Sequence, residues 1–331
     1  MAEVVLSRVS KTFGKVRAVS DMSLVVPDGA FVVLLGPTGA GKTTTLRLVA
    51  GLEQPDGGEI AIGGQNVTRL TPAQRNVAMV FQQYSLYPHL TVRENLAFPL
   101  KSPLLRTPKA EIERKVREVA EVLRIAHKLD NRATQLSGGE MQRVSIGRAL
   151  VRSPTIFLMD EPLSSLDAKL RAELRVELKR IHATLGATLL YVTHDQIEAL
   201  TMATHIGVLD RGRLVQFGSP REIYENPVSL TVASRLGQPR INALPAALFD
   251  GGPAGAAFVG LRPENIVQGE GRAARVVRLE HLGDQTRLHL SLDGHEIVTL
   301  ADVHTALRPG DIVPIRPHRP MYFDRDGARI A

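Results

Sequence analysis

Three short runs of this chain combine residue types and spacings suited to phosphate chemistry. The first is Gly36-Pro37-Thr38-Gly39-Ala40-Gly41-Lys42-Thr43. Its glycines allow backbone amides to wrap a string of phosphates, Lys42 supplies a point charge, and Thr43 offers a hydroxyl to Mg²⁺. Thr44 is either one more phosphate contact or simply the next helical residue. The second run is Thr155–Met159 followed by Asp160-Glu161-Pro162, an apolar strand that ends in two carboxylates. At a strand's carboxyl end, Asp160 is placed to hold Mg²⁺ through water. Glu161 is then placed to orient and deprotonate an attacking water. The third run is Leu136-Ser137-Gly138-Gly139-Glu140-Met141-Gln142-Arg143. Ser137 can cap a helix, and Glu140 stands three residues on, where a capping box wants it. Between them Gly138 and Gly139 leave amides open to close approach, so this too reads as an anion-binding helix start. His194 ends the apolar run Thr188–Thr193, where it could either make a structural hydrogen bond or reach a phosphate.

The elements that must position these groups are legible around them. Ala30–Leu35 is a short apolar run stopping at Gly36, as a buried strand would, and residues 41–50 read as a helix closed by Gly51. Residues 3–29, with a turn at Pro27-Asp28-Gly29, look like short antiparallel strands. Thr107-Pro108 supplies a capping hydroxyl and a proline for the first helical position. Ile112, Val116, Val119, Ala120 and Leu123 follow at helical spacing, so residues from about 90 to 150 form a mostly helical insert. Leu170, Leu174, Leu178 and Ile181 mark a helix between the two later buried strands. Apolar strands alternating with helices imply a parallel sheet.

The pattern changes after Gly218-Ser219-Pro220. Residues 237–256, rich in Gly, Pro and Ala, read as a linker. Beyond them Leu288, Leu290 and Leu292 alternate with His289 and Ser291, ending at the hairpin signal Asp293-Gly294, and Asp326-Gly327 follows Met321-Tyr322-Phe323. The last ~90 residues thus read as a small all-β domain, most simply a barrel.

A length of 331 residues suits two domains, and 44% hydrophobic with 23% charged residues is ordinary for globular protein. No apolar run approaches the roughly 18 residues that cross a bilayer, which points to a soluble or peripheral chain. Met1-Ala2-Glu3-Val4 has no basic start followed by an apolar stretch, so no signal peptide is expected. With no cysteine, disulfides and thiolate metal sites are excluded, consistent with a reducing cytoplasm. The net charge of +7 is spread as scattered arginines without a block, which argues for a generally basic composition over a nucleic-acid tail.

The order of phosphate loop, Gln82, Leu-Ser-Gly-Gly, Asp160-Glu161, Ser165-Leu166-Asp167 and His194 resembles an ABC-transporter ATPase subunit over nearly the whole chain. Val80–Leu90 is similar to the sugar-importer branch, typified by maltose and glycerol-3-phosphate importers. Gly260-Leu261-Arg262-Pro263-Glu264 resembles the start of that branch's accessory oligonucleotide-binding-like (TOBE) barrel. The resemblance implies an α/β P-loop nucleotide-binding domain over 1–236, with a helical subdomain at about 88–152, and an accessory β domain over 237–331.

The cofactors implied are ATP and Mg²⁺. Residues Gly36 to Thr44 would grip the phosphates, with Thr43, Gln82 and Asp160 toward the metal. Glu161 would be the general base, with His194, Gln82 and Lys42 as the other catalytic groups. Phe13 would stack on adenine, although by its sequence alone it reads as a packing aromatic. Ser137, Gly138 and Gly139 of one subunit would close over ATP held by another, with Asp167 at that contact. The partners implied are a second identical chain or a similar ATPase, two membrane-spanning permease subunits and an extracytoplasmic solute-binding protein, without nucleic acid. The place implied is the cytoplasmic face of the membrane, as a peripheral protein. Polyamine, ferric iron and sulfate importers share the accessory barrel and are the alternatives within the class. A nucleic-acid-associated ABC ATPase is the alternative outside it, weakened by one motif set, no heptad array and no cysteine. Tyr84 and Tyr87 either pack their loop or line a cleft for a helix of the membrane partner. The family usually has Gln where this chain has Glu140, and Glu140 is expected to turn toward its own helix cap.

Overall fold

The computed structural model describes residues 2–102 and 107–330. Two compact units divide between Pro220 and Arg221.

The first unit opens with an antiparallel hairpin, β1 (Val4–Phe13) and β2 (Val16–Val26), whose strands are longer than the short ones expected. β3 (Phe31–Leu35) follows, five apolar residues all buried, and leads through the glycine loop into α1 (Lys42–Ala50). β4 (Gly57–Ile62) and β5 (Gln65–Asn66) extend the hairpin into a sheet of order β2-β1-β4-β5. After β6 (Val77–Val80) comes the expected helical insert: α2 (Val92–Ala97), α3 (Lys109–Val122) and α4 (Gly138–Leu150). Thr91 and Glu94 form a capping box at the start of α2. The start of α3 differs from expectation. Pro108 is extended (φ −61°, ψ 144°) and is the cap residue itself, with no side-chain cap from Thr107, so the helix begins one residue later.

The second half supplies β7 (Ile156–Asp160), α5 (Ala168–Leu185), β8 (Thr188–Thr193), α6 (Gln196–Met202), β9 (His205–Asp210) and β10 (Arg213–Gly218). The central sheet runs β10-β9-β3-β8-β7-β6, parallel throughout except for the edge strand β10. Parallel strands need both faces covered. One face is met by the antiparallel sheet, because Val4, Leu6 and Val26 share a core with Val32, Leu34, Leu46 and Leu190. The carboxyl ends of β3, β8 and β7 stand side by side, which is where open α/β sheets bind ligands.

The second unit holds most of α7 (Pro220–Glu225), then α8 (Leu230–Ala233), β11 (Asn242–Pro245), β12 (Phe258–Leu261), β13 (Ile266–His281), β14 (Thr286–Leu292), β15 (His295–Ala301), β16 (Ile312–Pro317), β17 (Met321–Phe323) and β18 (Arg329–Ile330). Its strands form two antiparallel sheets, β11-β12-β17-β18 and β15-β14-β13-β16. Asp293-Gly294 turns β14 into β15, and Asp326-Gly327 turns β17 into β18. Within this unit Arg262 ties residues 221–236 to these strands. Its guanidinium, 1% exposed, donates to the carbonyls of Tyr224, Ala233 and Leu236. The stretch read as a linker contains β11, whose Asn242 amide bonds the carbonyls of Leu261 (3.0 Å) and Val298 (2.9 Å).

Candidate nucleotide site

The phosphate loop is shaped by two left-handed glycines, Gly39 (φ 80°) and Gly41 (φ 94°). Gly41 caps α1 with no side-chain hydrogen bond, and the first turn carries no acid. A Cβ on Gly41 would stand 2.4 Å from the Ala18 carbonyl oxygen, and one on Gly36 would stand 2.5 Å from that of Leu209. The loop is therefore clamped from beneath while Thr38 and Gly39 face solvent. Ala40 and Gly41 are buried. Lys42 is buried at 6% exposure and donates to the carbonyls of Gly36 (2.9 Å) and Pro37 (3.0 Å). Its ammonium also lies 3.8 Å from Glu161 Oε1. Thr44 is half-buried on the first turn of α1.

The strand ends complete the cluster. Thr43 Oγ1 donates to Asp160 Oδ1 at 2.9 Å. Burial pushes the Asp160 carboxyl up from its ordinary value, while the Thr43 hydroxyl works against that rise. These are hard oxygen donors in a partly desolvated place, and a Mg²⁺ bound through one carboxylate, a hydroxyl and phosphates fits them. Glu161 has φ 43°, a left-handed backbone held by its N–H bond to the Val192 carbonyl (3.0 Å) just ahead of Pro162. Such strain in a non-glycine residue concentrates at functional sites. Glu161 Oε2 lies 3.0 Å from His194 Nδ1, at the end of β8. Lys42, Thr43, Asp160, Glu161 and His194 are thus one connected group.

Gln82 reaches this group indirectly. Its Nε2 donates to Ser164 Oγ (3.3 Å), and that hydroxyl donates to the Glu161 carbonyl (2.8 Å). Ser164 carried no sequence signal, because a serine in a turn is unremarkable until its neighbours are known. Phe13 stands 44% exposed at the end of β1, with the Lys11 ammonium 5.3 Å from its ring and Lys11 itself paired to Asp56. Asp167 caps α5 by accepting from Leu170 N at 3.0 Å.

Ser137 begins α4 as a capping box. Its hydroxyl accepts from Glu140 N (3.4 Å), and Glu140 Oε2 accepts from Ser137 N (2.8 Å) and Oγ (3.0 Å). Glu140 does turn back to its own cap, as expected. A Cβ on Gly138 would stand 3.3 Å from Tyr84 Oη, and one on Gly139 would stand 2.7 Å from Leu170 Cδ1. Tyr84 and Tyr87 are half-buried, Tyr84 Oη 3.4 Å from Ser165 Oγ and Tyr87 packed on Phe98 with ring centroids 4.4 Å apart. Arg148 lies 4.8 Å over the Tyr87 ring.

A glycine loop between a buried parallel strand and a helix, facing a strand that ends in a carboxylate pair, defines a P-loop nucleoside triphosphate hydrolase. The helical insert ending in the Ser-Gly-Gly helix start narrows that class. The chain belongs to the ATP-binding proteins of ABC transporters. Residues 19–164 match the ABC transporter family and residues 259–320 the TOBE domain. It is 44% identical to the sn-glycerol-3-phosphate import ATP-binding protein of Cupriavidus pinatubonensis, with 100% of each chain covered. It is also 44% identical to the trehalose/maltose import ATP-binding protein of Thermococcus litoralis, covering 94% of each. Among solved structures it resembles an ABC-transporter ATP-binding cassette in its ADP conformation, with TM-score 0.61, 25% identity, and 70% of this chain and 98% of that one covered. The protein is an ATPase whose turnover drives transport, the ATP-binding subunit of an ABC importer. No helix among the described residues is long and apolar enough to cross a membrane.

Proposed function

We propose that the chain powers uptake of a sugar, polyol or glycerol-phosphate-like solute, as a homodimer on the cytoplasmic side of two permease subunits fed by a solute-binding protein. The observation that carries the solute class is likeness along essentially the full length to import proteins named for glycerol 3-phosphate and for trehalose and maltose. Titrating the cognate solute-binding protein tests it. Tight binding of a polyamine, ferric iron or sulfate in place of a sugar or sugar phosphate would sink the solute reading.

In the proposed mechanism the amides of Gly39–Thr43 and the Lys42 ammonium hold the β- and γ-phosphates. Mg²⁺, held through Thr43 and Asp160 with Gln82 toward it, would neutralise phosphate charge. Phe13 stacks against adenine, a contact of about 1–3 kcal/mol by analogy with base stacking. Glu161 takes the proton of the attacking water, its carboxylate standing between the Lys42 ammonium and the His194 ring. If His194 donates Nδ1–H to Glu161, its neutral ring leaves Nε2 as an acceptor. To donate to the γ-phosphate, His194 must therefore be protonated or turn away from Glu161. Ser137 to Gly139 of one copy close over the nucleotide of the other, with Asp167 near that contact. Binding holds the pair closed and hydrolysis releases it.

The mechanistic test is Glu161→Gln. Hydrolysis should fall by about 10²–10⁴-fold while ATP binding survives and the closed dimer accumulates. Turnover near that of the unaltered protein would remove Glu161 from the role of base.

A further inference from the structure

Glu140, the acid in the first turn of α4, has a cation of its own. While Oε2 faces the Ser137 cap, Oε1 lies 3.2 Å from Lys128 Nζ, and the two side chains are only 24% and 30% exposed. Lys128 ends the short turn Ala126–Lys128, between α3 and α4. The Ser137 N–H foremost, and then Lys128, hold the Glu140 carboxyl below its ordinary value despite its partial burial.

We infer that Lys128 is a positioning residue for ATP-driven closure: it neutralises Glu140 so that the Ser137–Gly139 turn can receive a second copy's terminal phosphate. The inference rests on the shared-site reading proposed above. Two physical effects support it. An unpaired carboxylate beside a phosphate seat repels the phosphate, most strongly where water is partly excluded. In addition, Ser137 has a single hydroxyl proton, which it donates to Glu140 Oε2. That proton must leave the carboxylate before it can serve a phosphate, and charge-assisted acceptors hold protons firmly. The ammonium at Oε1 draws charge away from Oε2 and makes the carboxylate a weaker competitor. A glutamine at this position would need no such cation.

The experiment measures Mg-ATP-dependent dimerisation of the full chain carrying Glu161→Gln, by sedimentation velocity, with Lys128→Met, Lys128→Arg and Lys128→Met/Glu140→Gln added in turn. Lys128→Met should weaken the dimer by about fivefold, the scale of a partly exposed ion pair. Lys128→Arg and the combined Lys128→Met/Glu140→Gln change should both restore it. The deficit should shrink at about 1 M salt, where screening acts within roughly 3 Å. A dimer unweakened by Lys128→Met, or a deficit that Glu140→Gln leaves in place, overturns the inference while the shared-site reading stands. A Glu161→Gln chain that stays monomeric with ATP overturns that reading and this one together.

Discussion

The two helix starts, α1 and α4, present the same backbone donors in opposite chemical states. At α1 the cap is Gly41, with no side-chain bond and no acid in the first turn. At α4 the cap is Ser137, bonded to its own turn, with Glu140 answering each donor it can reach. Every helix start leaves four N–H groups without partners inside the helix. At α1 no side chain caps them and no acid stands in the first turn, while Lys42 adds a positive charge. At α4 some are already answered, and the local charge belongs to a carboxylate neutralised by Lys128. On the proposed mechanism the first terminus holds a nucleotide by itself. The other is already answered by its own turn and, on the shared-site proposal, has to give up a hydrogen bond to take a phosphate, which would suit a contact that forms and breaks in every cycle.

The comparison breaks most sharply at Gly41. Gly41→Ala puts a Cβ 2.4 Å from the Ala18 carbonyl at φ 94°, so backbone must shift and the residue is strained as well. Stability should fall by about 2–4 kcal/mol, left-handed strain alone accounting for roughly 1–2 of that, and ATP affinity should fall more than about tenfold. A denaturant titration and a fluorescent-nucleotide titration read the two losses. For the stability loss Gly39→Ala separates strain from clash, since at φ 80° an added Cβ has nothing within 4 Å, and it should cost less than Gly41→Ala. At α4, the nearest atoms to a Cβ added at Gly139 belong to the Leu170 side chain, Cδ1 at 2.7 Å and Cγ at 3.1 Å, rather than to backbone. A Gly41→Ala protein that binds ATP normally would show that the bare terminus is not what holds the phosphates.

The α1 site was readable in sequence because its constraints are local. Glycine spacing, the lysine and the buried strand before them fall within a dozen residues, and Asp160-Glu161 ends another apolar strand. What joins distant residues left no such trace. Arg75, 3% exposed, closes the far end of α1 by donating to the carbonyls of Leu48 (2.7 Å) and Val49 (3.0 Å). Nothing near Arg75 in the chain announces that partner. Arg262 likewise tethers 221–236 to the second unit through carbonyls 26 to 38 residues away, a link that nothing near it in the chain announces. Composition misled at residues 237–256, because β11 is set by its pairing with β12 and by the Asn242 amide, neither of which shows in Gly, Pro and Ala content. The Ser137 cap and the turn of Glu140 were legible from three-residue spacing. Lys128 was not, because two turns of chain separate it from its partner.

The smallest expected effect separates charge from geometry at α4. Because the folded Glu140 carboxyl lies below its ordinary value of 4.5, it favours the folded state fully above that value. That contribution drains away as pH falls from there through the lower folded value. Glu140→Gln keeps an oxygen for the cap and removes the charge at every pH. At pH 7 the variant should be less stable by about 0.3–1 kcal/mol, the scale of an anion in a helix's first turn. The gap should close in acid as the native carboxyl protonates, in denaturant titrations run from pH 7 downward, while ATPase activity stays near that of the unaltered chain. A gap that persists in acid would assign the contribution to cap geometry, and a large gain in ATPase activity would mean that Lys128 leaves enough negative charge at α4 to oppose closure.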